Sequence, residues 1–529
     1  MRRMRIAAIV AAVVSLGVAY GLSAAPAKAD APIITDFTPT SGAVGAMFTI
    51  DGSGFLSTTA VRIGTKAAAF SVVSDTQITA VVPKGARTAP VKVFTTGGAA
   101  ISATPYTVIP VAHVVVVYME NHTFDNVLGK WCSEIASGDI QRTDGCDGAT
   151  SGQLLDGSTI PLAQATDLIP SLNHENGSHI LGIDGGKMDG FEQIVGCSAD
   201  LGYPCYTQFD PTQVPNITAL AQSYALSDET FEEALSSSWG SHLELVAGTI
   251  DGFVGDTPVK GQHHVGPGYG CDSFKDTTWR DPISGEVSMV PSCVPDQFGN
   301  GPYRPSPVQY VPTIMDRMDA AGLSWRIYGY TSTNPTYGRD ICPTFWECLS
   351  TAQHQNNVNS GQILTDARRG TLPNLALVMP PGQDSQHNLQ LMSMGDNWIG
   401  STLTTLQRSP QWSSTVVFIV YDDFGGFYEH VPPPAPGLGM RVPVVIVSPY
   451  AKAQYTDSTV TSQAGLLAYT EHLWNLAPLA TDDATAYDFS NSLDYTQTPL
   501  RPVAMTTQKI PRWELEWLAA HPMVATGDT

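Results

Sequence analysis

The chain has 529 residues, 43% of them hydrophobic and only 14% charged, with a net charge of −22 at pH 7. That length exceeds one ordinary domain and fits two or three, and the apolar content excludes wholesale disorder. A chain this acidic does not grip nucleic acid or anionic membranes by general electrostatics, so any phosphate it handles needs positive charge supplied locally.

Arg2, Arg3 and Arg5 precede an apolar run from Ile6 to Val18, and Ala27-Lys28-Ala29 follows as a small-x-small cleavage site. This is the pattern of a secretory signal peptide over 1–29, with a membrane anchor as the alternative. Its removal takes away four basic residues and no acidic one, which deepens the charge to −26. No later segment carries the ~18 uninterrupted apolar residues of a spanning helix. All eight cysteines lie beyond the signal. In an exported chain an even number favours disulfides. Pairing in sequence order would close four local loops, 132–146, 197–205, 271–293 and 342–348, one of about 105 connectivities. No C-x2-C pair points to a zinc cluster.

Residues 31–110 are poor in charge and rich in Gly, Thr and Val. Short alternating runs such as Met47-Phe48-Thr49-Ile50 and Val91-Lys92-Val93-Phe94 are separated by glycine turns. Short strands with regular turn signals predict a β-sandwich. PIITDFTPTSGAVGAMFTIDGSGF, VRIG and TQITAVVP resemble an IPT/TIG immunoglobulin-like domain. The resemblance implies a spacer or a module that contacts a surface polymer or protein.

After Pro110 the pattern changes. VAHVVVVY (111–118), LALVM (375–379), TVVFIVY (415–421) and RVPVVIV (441–447) are nearly continuous apolar runs, and each is followed by polar or turn residues. Strands apolar on both faces belong to a sheet covered on both sides. Helical patterns run over Val311–Ala321, around Ile399, Leu403 and Leu406, and over Leu466–Leu476. Alternating strands and helices predict an α/β domain with a mainly parallel sheet, whose sites form at strand carboxyl ends. The Gly- and Pro-rich stretch from Val254 to Pro307 is long for a connection and reads as an insertion near the site. His263-His264 within it has no supporting context and is set aside.

Four constellations carry chemistry. Glu120-Asn121, after the first buried strand, offers two hard oxygen ligands, although Asn121 or Thr123 could equally cap a helix. Asp422-Asp423, after TVVFIVY, repel one another unless a cation lies beside them, and Gly425-Gly426 lets the backbone pass close by. Ser238 opens a short helix that Gly248 closes, where free N–H groups favour an anionic phosphate; an ordinary capping serine is the alternative. His174 and His387 could hold a phosphate oxygen or protonate a leaving group, or could be merely structural.

HVVVVYMENHTFDNVLG, NHENGSHILGIDGGKMDGF, SWGSHLELVAGT, the long segment from SQHNLQ to FYEHVPPP, and GLGMRVPVVIVSPYAK occur in one order. Together they resemble the bacterial phospholipase C/acid phosphatase phosphoesterase family over most of 111–480. The resemblance implies an alkaline phosphatase-like three-layer α/β/α sandwich over 111–529. It also implies Glu120, Asn121, Asp422 and Asp423 as ligands of a divalent metal, Ser238 as a nucleophile forming a phosphoserine, and His174 and His387 as phosphate-contacting or acid/base groups. Asp423 stands where many relatives carry Glu, and SWGSH replaces the usual S/T-x-P-N-H, which leaves Ser237 as the adjacent alternative. Oxygen-rich ligands favour Ca²⁺, Mg²⁺ or Mn²⁺, with Zn²⁺ open. The expected activity is a secreted phosphoric-ester hydrolase. The serine, found in acid phosphatase relatives, favours phosphomonoesters over phospholipid head groups such as phosphocholine. An inactive surface-binding protein is the rival from another class. Tyr269, Trp279 and Tyr303 could cradle a choline, but packing is the preferred reading.

Overall fold

The computed structural model describes residues 31–260, 266, 268–329 and 340–521; the signal-peptide segment and His263-His264 lie outside them. The front module is a sandwich of two sheets. One orders strands Ile33–Thr38, Met47–Ser53, Gln77–Val81 and Phe70–Ser74. The other orders Ser41–Ala43, Gly98–Ile109, Ala89–Thr95, Thr58–Ile63 and Lys66–Ala68. Alternation decides which side chains enter it: Phe48 and Ile50 from one sheet, and Val91 and Val93 from the other, are fully buried. The module sits against helix Ala464–Trp474, where Asn475 Nδ2 donates to Met47 O at 2.8 Å.

The large domain is built on one eight-stranded sheet. Its order is Asn357–Val358, Trp325–Tyr328, Leu375–Val378, His113–Met119, Thr415–Tyr421, Val444–Val447, Ala225–Ser227 and Tyr455–Asp457. Every residue of Leu375–Val378, Thr415–Tyr421 and Val444–Val447 is buried, as a sheet covered on both faces requires. Each fully buried valine in such a run contributes ~1.5–3 kcal/mol relative to exposure. Helices Pro215–Ser223, Gln362–Arg369 and Met392–Gln407 pack together as one group; Ser238–Ala247, Ile314–Ala320 and Ala464–Trp474 form another. This is the mixed α/β architecture that the alternating pattern predicts.

One strand departs from expectation. Val444–Val447 runs antiparallel to both neighbours, whereas the other pairings are parallel. Its carboxyl end therefore lies at the opposite edge of the sheet, where Ser448 Oγ donates to Thr415 O at 2.9 Å. The polar end of this run belongs to the base of the sheet and not to the site.

The cysteines pair in sequence order: Cys132–Cys146, Cys197–Cys205, Cys271–Cys293 and Cys342–Cys348. The stretch after Val254 carries its own small sheet, Val259–Lys260, Lys275–Arg280 and Val287–Pro291. It does border the site helix, since Gly240 N donates to Gly255 O at 3.2 Å. Three of its aromatics meet neighbours within the structure: Trp279 Nε1 donates to Asp251 O at 2.7 Å, Lys275 Nζ lies 4.4 Å from the Tyr269 ring centroid, and the Tyr303 hydroxyl donates to Asp276 Oδ1 at 2.5 Å.

Candidate active site

Two central strands build the site together. His113–Met119 and Thr415–Tyr421 are parallel neighbours with Met119 opposite Tyr421, so Glu120-Asn121 and Asp422-Asp423 leave the sheet side by side. Asp422 N donates to Met119 O at 3.0 Å, and Asn121 N donates to Asp422 Oδ1 at 2.7 Å. Asn121 makes this turn at φ +67°, a left-handed conformation that asparagine tolerates. Gly425 is held at φ +62°, and a Cβ there would fall 2.0 Å from Asn121 O, so the second loop passes the first only with glycine at this position. From below, Gln463 Nε2 donates to both Tyr421 O (2.7 Å) and Asp422 O (2.8 Å).

Helix Ser238–Ala247 brings the hydroxyl. Ser238 Oγ lies 3.2 Å from Glu120 Oε2, 3.2 Å from Asn121 Oδ1 and 3.1 Å from Asp423 Oδ2. A hydroxyl has one proton, so it satisfies only one of three such acceptors. Ser237 turns away, donating to Gly255 O at 3.2 Å. Thr123 does cap its turn, accepting from Asn126 N at 3.1 Å, so the Glu120–Asp125 loop carries both a cap and oxygen ligands.

The same helix contributes a residue that sequence reasoning missed. His242, one turn beyond Ser238 and therefore on the same face, is fully buried, with Nε2 3.6 Å from Glu120 Oε1 and 3.7 Å from Asp422 Oδ2. Ligand atoms of Glu120, His242 and Asp422 all lie within 4.8 Å of one another. Two signals were available, the i, i+4 spacing from Ser238 and the final histidine of SWGSH, but its partners are far away in sequence.

This cluster fits a cation. Asp422 Oδ2 is buried and accepts no hydrogen bond among the described residues. Burial, then the charges of Asp423 and Glu120, hold the Asp422 carboxyl well above its ordinary range. A group of facing acids with one orphaned oxygen, ringed by an amide and an imidazole, is a ligand set for a divalent ion.

His174 and His387 meet edge to face with ring centroids 5.6 Å apart, and both are buried. His174 Nδ1 faces Leu172 O at 3.0 Å, so that nitrogen carries the proton, and Nε2 accepts from Asn121 Nδ2 at 3.2 Å. This contact turns Asn121 Oδ1 toward Ser238. His387 Nδ1 likewise faces Asn388 O at 3.0 Å.

Two further buried groups brace the loops. His179 Nε2 and Glu232 Oε2 are 2.6 Å apart, and the His179 ring lies tilted against Phe424, centroids 4.1 Å apart, beside Asp423. Burial pulls His179 down to about 4 and pushes Glu232 well up. The second group joins Asp125, Glu429 and His430 around Arg441. Arg441 Nη2 lies 2.9 Å from Glu429 Oε1 and 3.5 Å from Asp125 Oδ1, while His430 Nδ1 is 2.6 Å from Asp125 Oδ2.

An α/β domain with an acidic, metal-competent cluster at the carboxyl edge of its sheet, carried behind a β-sandwich module, is the class of protein these features define. A model described as the Phosphoesterase family matches residues 111–477, and one described as the IPT/TIG domain matches residues 32–108. The chain belongs to the Phosphoesterase family. It is similar to the non-specific phospholipase C1 of Arabidopsis thaliana, 25% identical over 64% of this chain and 61% of that protein. It also resembles the non-specific phospholipase C6 of the same plant, 24% identical over 76% of this chain and 75% of that protein. The non-hemolytic phospholipase C of Burkholderia pseudomallei is 27% identical over 31% of this chain and 32% of that protein. The chain thus spans less than two thirds of the first and third of these relatives.

Proposed function

We propose that this protein is an exported, metal-dependent phosphoric-ester hydrolase in which Ser238 is the nucleophile. The observation that carries this reading is the position of Ser238 Oγ, at a helix N-terminus and within 3.2 Å of oxygens from Glu120, Asn121 and Asp423. Glu120, Asn121, Asp422 and Asp423, with His242, would hold the cation. When bound, it neutralises charge on the phosphoryl oxygens and lowers the pKa of the serine hydroxyl. The imidazole of His242 widens the fitting ions toward Zn²⁺ beside Mn²⁺, Mg²⁺ and Ca²⁺.

The residues of the chain do the rest. The neighbouring carboxylates take up the Ser238 proton. Ser238 Oγ attacks phosphorus in line, the P–O bond to the alcohol breaks, and His387, as an imidazolium, delivers its Nε2 proton to the leaving oxygen. Water then attacks the phosphoserine and gives a proton back to His387, the P–O bond to Ser238 breaks, phosphate or its monoester departs, and the carboxylates return the serine's proton. His174 acts by orienting the Asn121 amide.

Two substrate classes compete. The serine nucleophile favours a phosphomonoester, while the phospholipase C relatives favour a phospholipid-type diester. Four disulfides support export to an oxidising compartment, and the front module would serve a surface polymer or protein partner. Hydrolysis of p-nitrophenyl phosphate beside p-nitrophenylphosphorylcholine, with and without EDTA and in Ser238→Ala, tests the proposal. EDTA-sensitive release that Ser238→Ala abolishes supports it, and the preferred ester assigns the class. Release unaffected by Ser238→Ala, or no release from either ester with metal restored, overturns it.

A further inference from the structure

The helix that begins at Ser238 ends at a second acidic region. A cleft of about 550 Å³ is lined by Glu233, Glu244, Asp482, Ile250, Leu438 and Tyr487, among others. Glu244 stands in the helix six residues beyond Ser238, about 9 Å along the axis. It is 6% exposed, yet its Oε2 accepts no hydrogen bond among the described residues. Glu233, in the same cleft, accepts a hydrogen bond from Ala464 N at 3.2 Å, and burial first of all holds its carboxyl above the ordinary range.

Three facts make this cluster unusual. No Lys, Arg or His is among the described residues that line the cleft. A carboxylate in the last turn of a helix faces the negative end of the helix dipole, the wrong sign for that position. Glu233, Glu244 and Asp482 also form no group tight enough to share one metal ion; the described groups that are tight enough lie elsewhere. The cleft therefore combines separated acids with an apolar wall of Ile250, Leu438 and the Tyr487 ring, whose hydroxyl is tied to Asp457 Oδ2 at 2.7 Å.

We propose that this cleft binds a small organic cation, an ammonium group on an apolar body of a few carbons, with the nitrogen at Glu244 and the carbons against Ile250, Leu438 and Tyr487. A bare metal ion would leave the apolar wall unused. An ammonium group offsets the buried charge and spreads over an aromatic face. A free amine and the ammonium head group of a lipid share this chemistry.

The test is thermal-shift and calorimetric titration of the full chain with tetramethylammonium and choline chlorides, against sodium chloride at matched ionic strength and calcium chloride. Short-chain phosphatidylcholine titrated onto Ser238→Ala separates the lipid source from the free amine. The expected result is saturable stabilisation by an ammonium compound that becomes about tenfold weaker or more in Glu244→Gln, a difference of about 1.4 kcal/mol. Asp482→Asn, at an exposed position, should weaken binding in the same direction while leaving basal phosphoesterase activity and fold intact. It keeps the test open if Glu244→Gln fails to fold. An equal response to sodium chloride, binding retained in the variants that fold, or a Glu244-dependent response to calcium alone overturns the proposal.

Discussion

Two groups of buried carboxylates lie on the same pair of loops and meet the same electrostatic problem in opposite ways. Around Asp125 and Glu429 the chain supplies its own cations, the fully buried Arg441 and the partly buried His430. Around Glu120, Asp422 and Asp423 it brings up the imidazole of His242 and the hydroxyl of Ser238. Both groups place three potential ligand atoms within 4.8 Å, so proximity does not distinguish them. The permanent charge of Arg441 does. Where a guanidinium already fills the centre, the acids form an internal strut; the other group is the one we propose to hold a metal ion.

This contrast can be broken by mutation, and the expected effects differ in size and sign. The largest belongs to chemistry. Ser238→Ala should cut kcat by roughly 10³-fold or more while the melting temperature barely moves, which steady-state assays beside a thermal melt will check. Next is the strut. Arg441→Met leaves His430 as the remaining cation for two buried acids and should cost about 3–5 kcal/mol by denaturant unfolding. Asp423→Asn should act with the opposite sign on the metal-free protein. Removing one of the facing acids relieves repulsion, so melting in EDTA should rise, while the stabilisation gained on adding metal should shrink. A strut at both places would make both substitutions destabilising.

The smallest effect is a pH dependence. Burial pulls His430 down, but the hydrogen bonds and charges of Asp125 and Glu429 outweigh it and hold it at about 10, against an ordinary 6.5. Because the folded value is raised, the stabilisation is complete below about pH 6.5 and is lost as pH climbs toward 10. The wild-type melting temperature should therefore fall more steeply between pH 7 and 10 than that of His430→Gln. Parallel curves would remove His430 from the strut.

Much of the large domain was legible because burial on both faces writes itself as unbroken runs such as Val114–Val117 and Val416–Val420. Such runs read alike in either direction, which is why the reversal of Val444–Val447 left no trace in the sequence. The shortest strands of the sheet, Asn357–Val358, Ala225–Ser227 and Tyr455–Asp457, carry too few residues for a periodicity to show. At the site, the residues written at strand ends, Glu120, Asn121, Asp422 and Asp423, were visible as adjacent pairs. His242 was not, since an interior helical histidine looks like any other until Glu120 and Asp422 arrive from distant parts of the chain. Arg441 was hidden for the same reason: its meaning lies in Asp125, more than three hundred residues earlier.

The hydrogen bond from Asn121 N to Asp422 Oδ1 joins residues 301 positions apart. At a synthesis rate of about 5–20 residues per second, the first of these emerges roughly 15–60 s before the second. Throughout that interval the Glu120 loop has no second wall, and Ser238, made in between, has only half of its surroundings. The site we propose is thus assembled late, after Asp422 has been made, and activity appearing on a nascent chain would time the moment at which the central strand pair closes.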